Sequence, residues 1–297
     1  MAESSASLLS VVITSYDSQA ILRLCLDALV RQPEIGCIVV SDCSPVDPAG
    51  EFAPLFPQVR FLHSPQPRSV PELRWAALAE TDTELVAAIE SRCVPAPDWA
   101  AQLVEAHQLY PETPAIGGPV APSEPISAFD WALYFCEYGA FAPPLEPGPA
   151  QALSGANLSY KRAALEQHRD LLDSGDWETF LHARWLAAGR PLRLCPASIR
   201  FHNTMTPAAA LRQRYHYGRG YAADRVRCEG VSGLFYALLS PLLPLVLTLR
   251  QSRQAFAKGM RRAFVRALGW VVLLNAAWSI GEGAGYLFGP DPRPRIF

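Results

Sequence analysis

The chain of 297 residues is half hydrophobic, only 18% charged, and carries a formal net charge of −2. That length allows one large α/β domain plus an appendage, and the apolar fraction can bury a substantial core. The near-neutral balance lacks the basic face of a nucleic-acid binder, so no nucleic-acid partner is expected.

Leu8 to Ile13 is a continuous apolar run rich in β-branched residues that ends in the polar turn Thr14-Ser15-Tyr16-Asp17. This is the pattern of a buried strand delivering a loop. Ser18 to Val30 then places Ile21, Leu22, Cys25, Leu26 and Leu29 on one helical face. Cys37 to Val40 reads as a second strand, followed by Ser41-Asp42-Cys43-Ser44, and Arg60 to His63 as a third. Pro71 to Glu80 reads as a helix with proline in its first turn. Leu85 to Ile89 is a fourth strand leading into Glu90-Ser91-Arg92, and Asp98 to Tyr110 a helix with Asp98 at its N-cap. Strands alternating with helices predict an α/β fold with a mainly parallel, doubly wound sheet. In such sheets ligands bind outside the carboxyl ends of the strands. The polar clusters at 14–17, 41–44 and 90–92 each follow an apolar strand and are therefore expected along one sheet edge.

Residues 121–150 are rich in proline and aromatics and read as an insertion or lid. Ser154 to Asn157 precedes a short strand. Asp176 to Ala188 has helical character ended by Gly189, and Leu192 to Cys195 and Ile199 to His202 are the last extended pieces. The seven cysteines, at 25, 37, 43, 93, 136, 195 and 228, include no CxxC pair. They argue against a disulfide framework and for a reducing compartment, the cytosol. Residues 1–7 lack a basic segment followed by an apolar run, so no signal peptide is expected.

Composition changes after about residue 210. Val231 to Leu249 and Ala267 to Gly281 carry no charge, and the segment between them, 250–266, holds Arg250, Arg253, Lys258, Arg261, Arg262 and Arg266 with no acid. Two crossings would place that segment opposite a cytosolic domain, against the positive-inside tendency. A hairpin lying in the membrane plane keeps both on one side, beside anionic lipid. A buried hairpin of a soluble protein is the third arrangement. The expected division is 1–225 for the α/β domain and 226–297 for a membrane-associated helical hairpin at the cytoplasmic face.

Several stretches resemble glycosyltransferase family 2. Ser10 to Asp17 is similar to that family's opening SVVIPTYN, and Val39 to Ser44 to its VVDDGS segment. Gly155-Ala156-Asn157 followed by Lys161 to Leu165 resembles its GAN-x-x-x-RRAAL stretch. Asp176-Trp177-Glu178 with Ala187-Ala188-Gly189 resembles its ED-x-(D/E) helix, and Gln213 to Gly220 its QxxRW region. The likeness spans about residues 8–220, five pieces in the family's order.

The resemblance implies a GT-A fold and inverting transfer from a nucleoside-diphosphate sugar. It places Thr14, Tyr16 and Asp42 at the nucleotide; Asp42 is otherwise a turn residue capping its own loop. Asp176 falls at the general base, or else caps the helix after it; the preceding glutamate of the family is Gly175 here. Glu178 serves the acceptor or is a first-turn acid, and Asn157 approaches the donor sugar or serves a turn. Arg74 matches the arginine of the family's RN pair, with Trp75 in place of the Asn, and contacts phosphate or joins an inter-helix network, or else is an ordinary exposed helix arginine. The acceptor hydroxyl is expected on a lipid or a lipid-linked saccharide.

This sequence departs from the family at the metal motif. Where an acidic DxD cluster binds Mg²⁺ or Mn²⁺, this chain has Glu90-Ser91-Arg92, and His202 matches a histidine that completes the metal shell in some relatives. Either Arg92 supplies the positive charge to the leaving diphosphate, making the enzyme metal-independent, or the domain binds without turnover, as a scaffold at the membrane.

Overall fold

The computed structural model describes residues 9–124, 127–173 and 177–291. They fall into two compact units, Met1–Ala121 with Pro143–His202, and Pro122–Ala142 with Asn203–Phe297.

The first unit opens with β1 (Leu9–Ser15), α1 (Gln19–Leu29), β2 (Ile35–Asp42), α2 (Ala49–Phe52), β3 (Val59–His63), α3 (Val70–Leu78) and β4 (Leu85–Glu90). β5 (Cys93–Pro95), α4 (Trp99–Leu109), β6 (Ala115–Gly117) and β7 (Val120–Pro122) follow. After α5 (Ala128–Glu137), which belongs to the second unit, the chain returns as β8 (Gly148–Ala150) and β9 (Asn157–Lys161). Then come α6 (Arg162–Glu166), α7 (Arg169–Asp173), α8 (Glu178–Ala187), β10 (Leu192–Leu194) and β11 (Ile199–Phe201). The main sheet has the order β3-β2-β1-β4-β9-β6-β10-β8, and β5-β11-β7 form a small second sheet. β3, β2, β1 and β4 are mutually parallel, and β9 and β8 are reversed. The result is the mainly parallel α/β architecture the alternation of elements predicts. β1 is buried along its whole length, as expected of a continuous apolar strand inside a parallel sheet. α1 buries Leu22, Cys25, Leu26 and Leu29, the face its 3.6-residue spacing defines.

Local chemistry explains the helix ends. Ser69 and Glu72 form a reciprocal capping box at α3, with Pro71 in the first turn. Gly189 takes φ 72° just past α8, the left-handed position where a side chain is disfavoured. Asp98 stands at the N-cap of α4 but its side chain does not cap; it accepts from Gln102 Nε2 instead. The seven cysteines are all free thiols.

The second unit holds α5, α9 (Pro207–Glu229), α10 (Gly233–Leu239), a 3₁₀ turn (Ser240–Leu242), α11 (Leu243–Ala257) and α12 (Arg261–Phe288). It reaches beyond the expected 226–297 because α5 and α9 pack on α12. The proline- and aromatic-rich insertion contributes α5, whose Phe129 and Phe135 meet Trp270 and Phe264 edge-on at 5.4 and 5.2 Å. α9 and α12 approach backbone to backbone. A Cβ on Gly281 would stand 2.0 Å from the Tyr215 carbonyl, one on Gly285 2.2 Å from that of Arg219, and one on Gly218 2.3 Å from that of Trp278. Small residues four apart are what allow such close approach.

Gly233–Ala257 and Arg261–Phe288, of 25 and 28 residues, are long and apolar enough to cross a membrane. They form a hairpin through Lys258-Gly259-Met260, with Gly259 at φ 75°. Most of the chain's exposed large apolar side chains lie on them, between Leu234 and Phe288.

The close helix contact predicts that Gly281→Val destabilises the full chain by about 1–3 kcal/mol or more. Urea unfolding followed by tryptophan fluorescence measures this; an unchanged midpoint would mean that the two backbones are not in contact.

Candidate active site

The pairing register brings the polar strand ends together. Thr14 lies beside Ser41 on β2 and Glu90 on β4, and Asp42 lies between Ser15 on β1 and His63 on β3. All four strands run the same way, so Thr14, Asp42, His63 and Glu90 occupy one rim. The loops are then tied to each other. Asp42 accepts from the Ser44 amide and hydroxyl, both at 2.7 Å, and lies 3.2 Å from His63 Nδ1. Ser44 Oγ accepts from the Asp17 amide at 2.8 Å, and Ser18 Oγ meets Ser91 Oγ at 2.6 Å in a buried contact. Asp17 has φ 44°, a left-handed conformation uncommon outside glycine that is held here by its surroundings.

Arg92 extends the rim. Its Nη2 is 3.4 Å from Glu90 Oε2 and its guanidinium lies 5.6 Å from the centre of the Phe201 ring. Its carbonyl accepts from the His202 amide at 2.8 Å. Thr14, Asp42 and Arg92 are buried, Tyr16, Glu90 and His202 half-buried. The Thr14 hydroxyl is a buried group without a hydrogen-bond partner among the described residues, a state that calls for an explanation in a native fold. Burial and the nearby Arg200 hold the His202 imidazole below its ordinary pKa.

Three expected ligand contacts are instead structural. Arg74 is 1% exposed; its Nη1 donates to Glu178 Oε2 at 2.7 Å and its Nη2 to the Gly155 carbonyl at 2.9 Å. It joins α3 to α8 and to the loop before β9, and is not the exposed helix arginine its position in a helix would suggest. Glu178 is buried in the same pair. A Cβ on Gly155 would lie 2.2 Å from Glu178 Oε1, which is why glycine opens the Gly155-Ala156-Asn157 stretch. Asn157 is fully buried: Oδ1 accepts from Trp99 Nε1 at 2.8 Å, and Nδ2 donates to the carbonyls of Pro119 and Ala197 at 3.0 and 2.8 Å. Both its donors are used, and no face is left for a sugar.

Asp176 lies outside the described residues. The basic Gln213 to Gly220 stretch is part of α9 in the second unit, where Arg214 stacks on Trp278 at 4.4 Å and Arg219 Nε donates to the Gly289 carbonyl at 3.0 Å.

Glu90 is the one acid left in the metal motif, and the His202 amide donates to the Arg92 carbonyl beside it. Among the described residues no three histidine, cysteine, aspartate or glutamate side chains cluster closely enough to share an ion. The motif keeps one carboxylate, with the Arg92 guanidinium 3.4 Å from it; Mg²⁺ held by one or two carboxylates relies on substrate phosphates and water for the rest of its shell.

Ser18, Ser44, Ser91 and His63 were not singled out by the sequence, yet they hold the rim together. The serines' only signal was their place just beyond apolar strands; His63 needed the strand register. A cavity of about 360 Å³ on the flank of α4, lined by Gln102, Leu109, Tyr110 and Arg193 among others, contains none of the motif residues.

A mainly parallel sheet with loops 14–18, 41–44 and 90–92 on one rim is compatible with a GT-A fold. The family description "Glycosyl transferase family 2" matches residues 10–169, more than half the chain, and the chain belongs to that family. It is a glycosyltransferase enzyme, acting on nucleotide-sugar donors. Among solved structures, the mannosyltransferase PcManGT from Pyrobaculum calidifontis, in complex with GDP-Man and Mn²⁺, is similar at a TM-score of 0.58 and 16% identity, over 96% of this chain and 88% of that one. TarS residues 1–349 from S. aureus align over 90% of this chain and 80% of that one, with a TM-score of 0.49 and 15% identity. At these identities the likeness is one of fold. No curated protein gives a significant sequence match.

The Arg74–Glu178 pair has a measurable consequence. Burial alone would push the Glu178 carboxyl up, but the adjacent Arg74 guanidinium holds it below its ordinary value of 4.5. Its stabilising share is therefore complete above pH 4.5 and is lost as pH falls through the depressed folded value. Glu178→Gln leaves a buried guanidinium uncompensated and should cost about 3–5 kcal/mol near neutral pH, a gap that narrows below pH 4.5. Stability of wild type and variant measured across pH 7 to 3 tests this; a constant or absent difference would remove the pair from the account.

Proposed function

We propose that the enzyme transfers a sugar, with inversion, from a nucleoside-diphosphate donor to a hydroxyl of a lipid or lipid-linked saccharide at the cytoplasmic face of a membrane. We propose further that Arg92 rather than a metal ion receives the charge of the leaving diphosphate. The observation that carries this reading is the rim itself: the loops after β1, β2 and β4 are hydrogen-bonded into one edge, and its metal motif ends in an arginine.

Thr14, Tyr16 and Asp42 are assigned to the nucleotide. Asp42 already fixes the loop through Ser44 and His63, so its contribution is a preshaped cradle. The unpartnered Thr14 hydroxyl supports a ligand at this edge. The bound GDP-Man of the mannosyltransferase with the same fold supports a nucleoside-diphosphate sugar as donor. A guanidinium offers a planar fork of donors to phosphate oxygens and keeps its charge at any working pH.

In the proposed step the acceptor oxygen attacks the anomeric carbon from the face opposite the diphosphate. Its proton passes to the Asp176 carboxylate, the carbon–phosphate oxygen bond breaks, and the nucleoside diphosphate leaves with the electron pair. One base and one displacement invert the anomeric centre. Membrane association rests on the apolar hairpin of the second unit. The cytoplasmic face is supported by the acid-free basic stretch 250–266 and by cysteines that form no disulfide among the described residues.

Calorimetry with a panel of nucleotide sugars, in EDTA and in Mn²⁺, tests the site. The expected result is binding in EDTA to at least one donor, weakened about tenfold or more by Arg92→Ala, as befits a charge-assisted phosphate contact. Asp176→Asn should bind that donor normally and lose about 10²–10⁴ in turnover. Binding that requires Mn²⁺ would contradict the arginine assignment, and undiminished turnover by Asp176→Asn would remove the base.

A further inference from the structure

We infer that the hairpin of α10–α11 and α12 lies in the membrane plane, and that its partner is the headgroup layer of an anionic leaflet, gripped by the arginines at the hairpin tip. This rests on the membrane reading above and goes beyond it in naming both the geometry and the lipid class.

The geometry follows from what covers α12. Along its C-terminal half the backbone touches that of α9 at Gly218, Gly281 and Gly285. α9 carries Arg212, Arg214, Arg219, Arg225 and Arg227, and dragging that helix into hydrocarbon would be costly. Along its N-terminal half α12 takes α5, which bears Asp130 and Glu137. α12 is thus covered along one stripe by helices that carry charged residues. Away from these contacts the hairpin leaves Leu234, Leu238, Leu245, Val272 and Ile280 exposed. One apolar side and one polar, protein-covered side describe an interfacial element rather than a spanning one.

The lipid class follows from charge. Arg250, Arg253, Arg261, Arg262 and Arg266 flank the Lys258-Gly259-Met260 turn, all are exposed, and none is ion-paired among the described residues. The 250–266 stretch has no acid to offset them. A bare apolar face bordered by uncompensated arginines matches acyl chains beneath anionic headgroups. A second copy of the chain would bring the same positive charge to the contact and repel it.

Flotation of the full chain with phosphatidylcholine vesicles, and with vesicles one-third phosphatidylglycerol, tests the partner. The expected result is stronger capture by the anionic vesicles, with Arg261→Gln/Arg262→Gln reducing that affinity about thirtyfold, roughly fivefold per charge, and leaving capture by neutral vesicles unchanged. Equal capture by both vesicles, or a double variant that behaves as wild type, overturns the anionic partner while leaving membrane association standing. Absence from both vesicle fractions, with self-association in solution, overturns the membrane reading as well. For the geometry, Ala257→Cys beside the tip is probed on intact vesicles, with the half-buried Cys37, Cys136 and Cys228 changed to alanine. A membrane-impermeant maleimide added outside should react fully; protection of that thiol would mean that the hairpin crosses.

Discussion

The parallel pairing of β1 with both β2 and β4 is the constraint on which the site depends. It sets Thr14 against Ser41 and Glu90, and Ser15 against Asp42, so three loops distant in sequence must emerge at one edge. A slip of one residue in either pairing would turn the polar strand ends toward the opposite face of the sheet. The short contacts of Asp17 with Ser44 and of Ser18 with Ser91 are possible only because the strands deliver these loops in step. The left-handed Asp17 is held by that same convergence.

A second layer of buried polar chemistry supports the rim. Arg74, Glu178 and Gly155 tie α3, α8 and the loop before β9 into one cluster, and Asn157 ties β9 to Trp99 and to the Pro119 and Ala197 carbonyls. These residues resemble the family's motifs, yet their side chains act on the protein itself. Motif resemblance locates residues that matter without saying whether they touch the ligand or hold the groups that do. At the metal motif the logic differs: Arg92 is a change of charge sign beside the surviving Glu90, and it alters what can neutralise a departing diphosphate.

Much of the fold was legible because it is periodic. β1, α1, β2 and β4 follow from apolar runs and a 3.6-residue stripe, and the sheet edge follows from polar turns at their ends. What stayed hidden depends on long-range pairing. The reversal of β9 within the sheet has no local signature, because a buried strand reads the same in either direction. α5 was lost inside a proline-rich insertion although Ser127 and Asp130 form a capping box at its start, since its apolar face is made for α12, far along the chain. The burial of Arg74 and Asn157 was unreadable for the same reason: an arginine on a helix is ordinarily exposed, and only the position of Glu178 reverses that. In the second unit, the contact surface made by the glycines at 218, 281 and 285 depends on the pairing of α9 with α12, which the sequence does not show.

The second unit carries exposed apolar side chains and exposed arginines on its hairpin, and the first ties three polar loops together at one rim. The central claim is that loops 14–18, 41–44 and 90–93 form one diphosphate-responsive edge that works without a divalent ion. Amide hydrogen exchange of the full chain, with and without a saturating nucleoside diphosphate in EDTA, addresses it most directly. The account predicts that peptides covering those three loops gain protection together. Protection confined to other segments, or appearing only when Mn²⁺ is restored, would contradict it.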